Sequence, residues 1–264
     1  MTEPLPLDLL DLSHAARWAL FLDFDGTLAD IVDHPADVAL PSGTRDALDA
    51  IAAGLDGAMA IVTGRAIADI DRFVAIDSLA VAGVHGLTRR DRRGRHHDAP
   101  VASEQLTTVE ERLARIVQGH EGTFIERKPG SLAFHYRARP ELEEAMRHAV
   151  SGALDGLADL HRVDGKMVVE IKGGRVSKGD AVAAFMDEAP FDGRVPVFAG
   201  DDVTDEDAFR TVRKLGGIAI KVGDGETAAT HRAASPQAFR AWLAGLAVRM
   251  AKPGPDLDIG RNLP

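Results

Sequence analysis

The strongest constraint this chain places on its own fold is a set of short, uninterrupted apolar runs that end abruptly in small or acidic residues. "WALFLDF" (18–24), "AMAIVT" (58–63), "LAVAGV" (79–84), "VPVFAG" (195–200) and "GIAIKVG" (217–223) are too short for helices. They are also too continuously apolar for strands with one wet face, so they read as buried strands of a parallel sheet. Between the first two, "PSGTRDALDAIAAGL" offers Ser42 or Thr44 as a helix cap and spaces Leu48, Ile51 and Leu55 helically. Strand, helix, strand implies a right-handed crossover. Further helices over 65–75, 178–188, 204–214 and 236–249 complete an open, doubly wound α/β sheet with helices on both faces.

The middle of the chain breaks this rhythm. Two helical stretches, about 101–118 and 140–154, interleave with "GTFIER", "LAFHYR", "DLHRVD" and "MVVEI", whose alternation predicts antiparallel strands with one wet face. The expected organisation is a core formed by 1–87 and 174–250, an inserted α+β cap over 88–173, and a frayed tail over 251–264. An insertion of this kind carries a specificity surface. Residues 1–16 read either as a short docking segment or as a plain extension.

Composition narrows the chemistry. With 45% hydrophobic residues the chain can bury real cores, and with no cysteine it holds neither a disulfide nor a thiolate metal site. A metal must therefore sit on carboxylates, carbonyls or imidazoles, which favours Mg²⁺-like ions. A formal charge of −10 opposes any general attraction to nucleic acid or an anionic membrane. The one basic cluster, Arg89 to Arg95, reads as a solvated loop in preference to a phosphate-binding patch. Neither a membrane-spanning run nor a signal peptide is recognisable, so the expected location is cytoplasmic.

In open parallel sheets the reactive groups gather beyond the carboxyl ends of the strands. The first strand ends in Asp23 and Asp25, the second in Thr63, Gly64 and Arg65, and the fourth in Asp201, Asp202 and Asp205. Carboxylates converging there repel one another, at roughly 4 kcal/mol for a pair about 4 Å apart at an intermediate dielectric. A Mg²⁺ ion on one or two of them balances the charge, and Lys178, opening the helix before the fourth strand, supplies a second positive charge.

"DFDGT" (23–27), Thr63, Lys178 and "GDDVTDEDAF" (200–209) together resemble, in order, the four signature motifs of the haloacid dehalogenase superfamily of phosphatases. The resemblance implies Asp23 as the nucleophile that becomes an aspartyl phosphate and Asp25 as general acid, then base. It implies that Thr63 and Lys178 bind phosphoryl oxygens. The implied Mg²⁺ ligands are Asp23, the main-chain carbonyl of Asp25, and Asp201, with Asp202 and Asp205 in support. Aspartate at position 25 reads as a hydrolase instead of a dehalogenase.

"VHG" (84–86), "ERKPGSLAFHYR" (126–137) and "VEIKGGRVSKGDA" (169–181) extend the likeness to the trehalose-6-phosphate phosphatases, over about 18–246. That resemblance implies that Glu126, Lys128 and Glu170 hold the sugar hydroxyls. The same residues also suit cross-strand surface pairs. His135 is either a wall of the site or a packed strand histidine, and Arg65 and His85 are expected to touch phosphate or sugar. The expected reaction is Mg²⁺-dependent hydrolysis of trehalose 6-phosphate. The alternatives are a sucrose- or mannosylglycerate-phosphate type phosphatase and a phosphosugar mutase of the same build. The expected partner is a small sugar phosphate, with no nucleic acid or membrane, and the oligomeric state is open.

Overall fold

The computed structural model describes residues 3–32, 34–165 and 167–251. The chain enters through β1 (Leu5–Pro6) and β2 (Trp18–Leu22), then α1 (Thr44–Gly54), β3 (Met59–Val62), α2 (Ile67–Val74) and β4 (Ala80–Gly83). A hairpin, β5 (Thr88–Arg90) and β6 (His96–Asp98), precedes α3 (Ser103–Gln118), β7 (Phe124–Lys128), β8 (Ser131–His135), α4 (Glu143–Ala153), β9 (His161–Gly165) and β10 (Val168–Lys172). The last part comprises α5 (Lys178–Met186), β11 (Val195–Gly200), α6 (Glu206–Lys214), β12 (Ile218–Val222), β13 (His231–Ala233) and α7 (Pro236–Ala251).

One sheet has nine strands in the order β1-β13-β12-β11-β2-β3-β4-β5-β6, and the other four in the order β7-β8-β10-β9. Pairing is parallel from β1 through β4 and antiparallel where β5 and β6 are added. Side chains alternate faces along β2. Trp18 stacks on Trp242 of α7, with ring centroids 6.4 Å apart, while Phe21 stacks on Phe185 of α5 at 6.0 Å. Positions 18 and 21 point to opposite faces, so α7 and α5 cover opposite faces of the sheet. This is the doubly wound α/β core expected.

The four-stranded sheet is antiparallel throughout. Leu132, Phe134, Val169 and Ile171 pack with Leu106, Val109 and Leu113 of α3 and Met146 and Val150 of α4 into a second apolar core. The period of two sends Glu126, Lys128, Ala133, His135 and Glu170 to the other face of this sheet. The register sets Glu126 and Glu170 on either side of Ala133.

Three details depart from the sequence reading. Of the Arg89–Arg95 stretch, Arg89 and Arg90 belong to β5 of the main sheet, while 92–95 form the exposed turn that leads into β6, so the expected solvated loop is confined to that turn. Asp91 is buried and accepts from the Arg93 and Arg95 amides, both at 2.9 Å, while Arg89 pairs with Glu188 and Arg90 with Asp71. Residues 88–98, assigned from sequence to the insertion, thus extend the main sheet, β5 pairing with β4 and β6 with β5. The cap of α1 is Gly43, at φ +78°, with no side-chain capping bond, and neither Ser42 nor Thr44 serves. Residues 3–16 are bound to the core, since β1 pairs with β13 and Leu7, Leu10 and Ala15 are buried. The expected frayed tail lies, from 252 onward, outside the described residues. No helix among the described residues is long and apolar enough to cross a membrane.

Candidate active site

Asp23 follows β2 directly and shares the face of Phe21, the face covered by α5. Lys178 and Phe185, seven residues apart, lie on one side of α5, so the contact that packs Phe185 on Phe21 also aims Lys178 at Asp23. The α5 start is fixed by a reciprocal cap between Ser177 and Asp180. Lys178 Nζ, 2% exposed, donates to Asp23 Oδ1 at 2.8 Å and to Asp205 Oδ1 at 2.7 Å. Burial alone would lower the ammonium's pKa, but Asp205 and Asp23 raise it above the usual lysine range, so it stays charged.

Asp205 is fully buried, and its Oδ2 accepts from the Asp202 amide at 2.9 Å. With one oxygen on Lys178 and the other on the turn, Asp205 orients the lysine and the loop. Asp23, Asp201 and Asp202 line the cavity beside it. Gly26 explains how Asp201 comes so near: at φ +77° a Cβ there would lie 2.3 Å from Asp201 Oδ2. Only glycine tolerates both that backbone and that approach.

Asp23, Asp201 and Asp205 each offer an oxygen within 4.8 Å of the others. Burial, and then Asp205 and Asp201, push the Asp23 carboxyl well above its usual pKa despite Lys178. A buried all-oxygen donor set whose anions destabilise one another fits a hard divalent cation.

Thr63, at the end of β3, is buried, and its Oγ1 accepts from the Arg65 amide at 3.2 Å, leaving the hydroxyl proton as a donor. Arg65 clasps Asp25 with Nε and one terminal nitrogen, both at 2.7 Å, and lies 5.5 Å and 5.1 Å from the ring centres of Phe24 and Phe73. Burial alone would lower the guanidinium's pKa, yet the Asp25 bonds raise it.

The wet face of the four-stranded sheet lies over these strand tips. Glu170 accepts from His85 of the core and from Ser131 at 2.7 Å. Burial alone would raise its pKa, but His85, Lys128 and Ser131 hold it well below the carboxylate range. Burial also pushes the His85 imidazole down, with Glu170 opposing. His85 Nδ1 is buried without a partner, which suits a neutral ring donating from Nε2 to an ionised Glu170. Lys128 donates to the Gly64 carbonyl at 3.0 Å, Glu126 accepts from His135 at 2.9 Å, and Arg137 donates to the Val32 carbonyl. Burial would raise the Glu126 carboxyl, but His135 and Lys128 lower it.

One cavity of about 160 Å³ is lined by Asp23, Asp25, Thr63, Arg65, Lys178, Asp201 and Asp202 below, and by His85, Glu126, Lys128, His135 and Glu170 above. Apart from Asp205, packed behind it, every residue singled out from sequence for the site meets there. Arg65 and His85, expected on phosphate or sugar, are bonded to Asp25 and Glu170. Sequence reasoning missed Ser131, Arg137 and Lys221. Ser131 shares the alternation of His135 along β8, Arg137 follows it two residues past the end of that strand, and Lys221 is a lone cation inside an apolar strand. Those were their signals.

The family model described as trehalose-phosphatase matches residues 21–238. The trehalose-6-phosphate phosphatase of Escherichia coli (strain K12) is 39% identical over 243 residues, covering 92% of this chain and 90% of that protein. Among solved structures, the C-terminal domain of the C. albicans trehalose-6-phosphate phosphatase superposes with a TM-score of 0.77 at 21% identity, covering 88% of this chain and 92% of that one. A haloacid dehalogenase-like hydrolase from B. subtilis superposes with a TM-score of 0.58 at 16% identity, covering 87% and 99%. At those identities the last two likenesses speak to the fold.

Proposed function

The chain belongs to the trehalose-phosphatase family, with a haloacid dehalogenase fold, and we propose that it hydrolyses trehalose 6-phosphate to trehalose and phosphate through an aspartyl phosphate on Asp23. The observation that carries this reading is the buried Asp23–Lys178–Asp205 array beneath a sheet whose facing side chains are Glu126, Lys128 and Glu170. The lower layer is built for a phosphoryl group. The upper layer offers acceptors and a donor suited to uncharged sugar hydroxyls.

Lys178 fixes one oxygen of Asp23 and turns its own charge toward the incoming phosphate, where Thr63 adds a hydroxyl donor. Attack by the Asp23 carboxylate forms the new P–O bond as the bond from phosphorus to the sugar oxygen breaks. Asp25, carrying the proton left by the previous turnover, gives it to that oxygen, so trehalose leaves neutral, and then takes a proton back from the water that attacks the aspartyl phosphate. Phosphate departs and Asp23 is regenerated. Asp25 reaches these protons only after Arg65 lets it go, so phosphate binding near Arg65 is coupled to arming of the acid.

Asp23, Asp201 and the main-chain carbonyl of Asp25 would hold Mg²⁺, which supplies the positive charge that lets a carboxylate approach a dianionic phosphate. A cavity of about 160 Å³ is small beside the ~300–1,000 Å³ of ordinary ligand pockets, so the substrate enters with the upper sheet displaced. Its return expels water before attack.

The test is phosphate release from trehalose 6-phosphate and glucose 6-phosphate, each with and without Mg²⁺. The reading expects rapid, Mg²⁺-dependent release from the disaccharide alone; equal rates on both sugars would reject the assignment of the upper layer.

A further inference from the structure

Lys221 lies in β12 among Ala219, Ile220 and Val222, each no more than 1% exposed, and is itself only 5% exposed. A lysine this deeply buried needs a partner to offset the loss of hydration. Its Nζ donates, at 2.5 Å, to the main-chain carbonyl of Asp201. The register makes the contact direct, because Lys221 pairs with Gly200, the residue before Asp201.

The bond falls where position matters most. The Asp201 carboxylate sits against Gly26 so closely that one added methyl group would collide with it. Lys178 binds Asp23 and Asp205 through their carboxylates, and Lys221 anchors the peptide of the remaining acid in the cluster. Two buried ammonium groups thus flank the acidic nest from different elements, α5 and β12.

We infer that Lys221 is a positioning residue for the divalent cation: by holding the Asp201 peptide it sets the carboxylate in its binding place. It touches neither substrate nor the reacting atoms. The inference rests on the Mg²⁺ reading of the Asp23–Asp201 pair.

The experiment compares the full-length wild type with K221M, K221Q and K221R. Two quantities are read: the Mg²⁺ concentration for half-maximal phosphate release, and the rise in thermal midpoint that Mg²⁺ produces without substrate. K221M and K221Q should need about 10-fold more Mg²⁺ or beyond, as for other groups that orient metal ligands, and show a smaller Mg²⁺-induced rise. Their KM for trehalose 6-phosphate at saturating Mg²⁺ should stay within about twofold of wild type. K221R, which keeps charge and donor, should recover most of the response. If K221M fails to fold, K221Q carries the comparison.

A variant with a lower midpoint but the wild-type Mg²⁺ requirement and the wild-type Mg²⁺-induced rise would overturn the inference and leave a merely structural lysine. A wild type that responds to Mg²⁺ in neither measurement would overturn the Mg²⁺ reading and this inference with it.

Discussion

His85 of the core donates from Nε2 to Glu170 of the cap, and keeping that imidazole neutral sets a pH dependence. Burial pushes the His85 imidazole down against the opposing pull of Glu170, and Lys178 and Lys172 add to the lowering. Below about pH 6.5, the ordinary histidine value, the unfolded chain takes up a proton that the folded imidazole refuses. Stability from this residue is therefore fully present above that pH and lost as the pH falls below it. Glu170 acts in the same direction at lower pH, since its depressed pKa contributes stability that disappears on acidification. Thermal midpoints recorded across pH 5–8 should show a fall on the acid side that is shallower in His85→Gln than in wild type. Parallel curves would reject the neutral, buried assignment. The partnership itself was not legible in the sequence, because 85 residues separate the two side chains. His85 was recognisable only as a residue near a strand tip, and Arg65, 40 residues from Asp25, only as a nearby cation.

At the scale of elements, the strands were legible because a strand buried on both faces must be apolar at every position. The wet face of the cap sheet was legible because period-two alternation separates Leu132 and Phe134 from Ala133 and His135. The β5–β6 hairpin was not. A run of arginines resembles a solvated loop unless one knows that Asp91 is buried at its turn and that Asp71 and Glu188 wait on neighbouring elements. The two-residue β1 and three-residue β13 were invisible for another reason: they are held by pairing with neighbours, and nothing in so short a pattern announces a strand. The role in choosing substrate that we propose for the upper sheet predicts a split between substrates. Glu170→Gln should raise KM for trehalose 6-phosphate by about 10- to 100-fold, the worth of a hydrogen bond to a charged group. Hydrolysis of a small aryl phosphate, which has no sugar to hold, should change little. An equal loss on both substrates would move Glu170 from sugar recognition to support of the phosphate chemistry.

For the molecule as a whole, two apolar cores and two sheets meet at one cavity, and the meeting makes the chemistry. The nine-stranded sheet brings acids from β2 and β11 together with the lysine of α5, an arrangement that burial and mutual repulsion make costly without added positive charge. The four-stranded sheet closes over it through Lys128 to Gly64, Arg137 to Val32, and Phe124 stacked on His34 with ring centres 5.2 Å apart. Each contact ties the four-stranded sheet to the core, and under the proposed function each yields when a disaccharide enters. The proposed phosphate site was readable from sequence as a convergence of residues, because its motifs fall at predicted strand tips that meet at one cavity. The contacts that join the two sheets were not, because two of those three end on main-chain carbonyls that no side-chain pattern marks. The central claim is that Asp23 carries the phosphoryl group during turnover. Acid quenching of the enzyme during steady hydrolysis of trehalose 6-phosphate with Mg²⁺, followed by peptide mass spectrometry, tests it directly. The account predicts a phosphorylated peptide with the modification on Asp23, and neither phosphopeptide nor turnover in Asp23→Asn. A phosphoryl group on any other residue, or an Asp23→Asn variant that turns over like wild type, would contradict it.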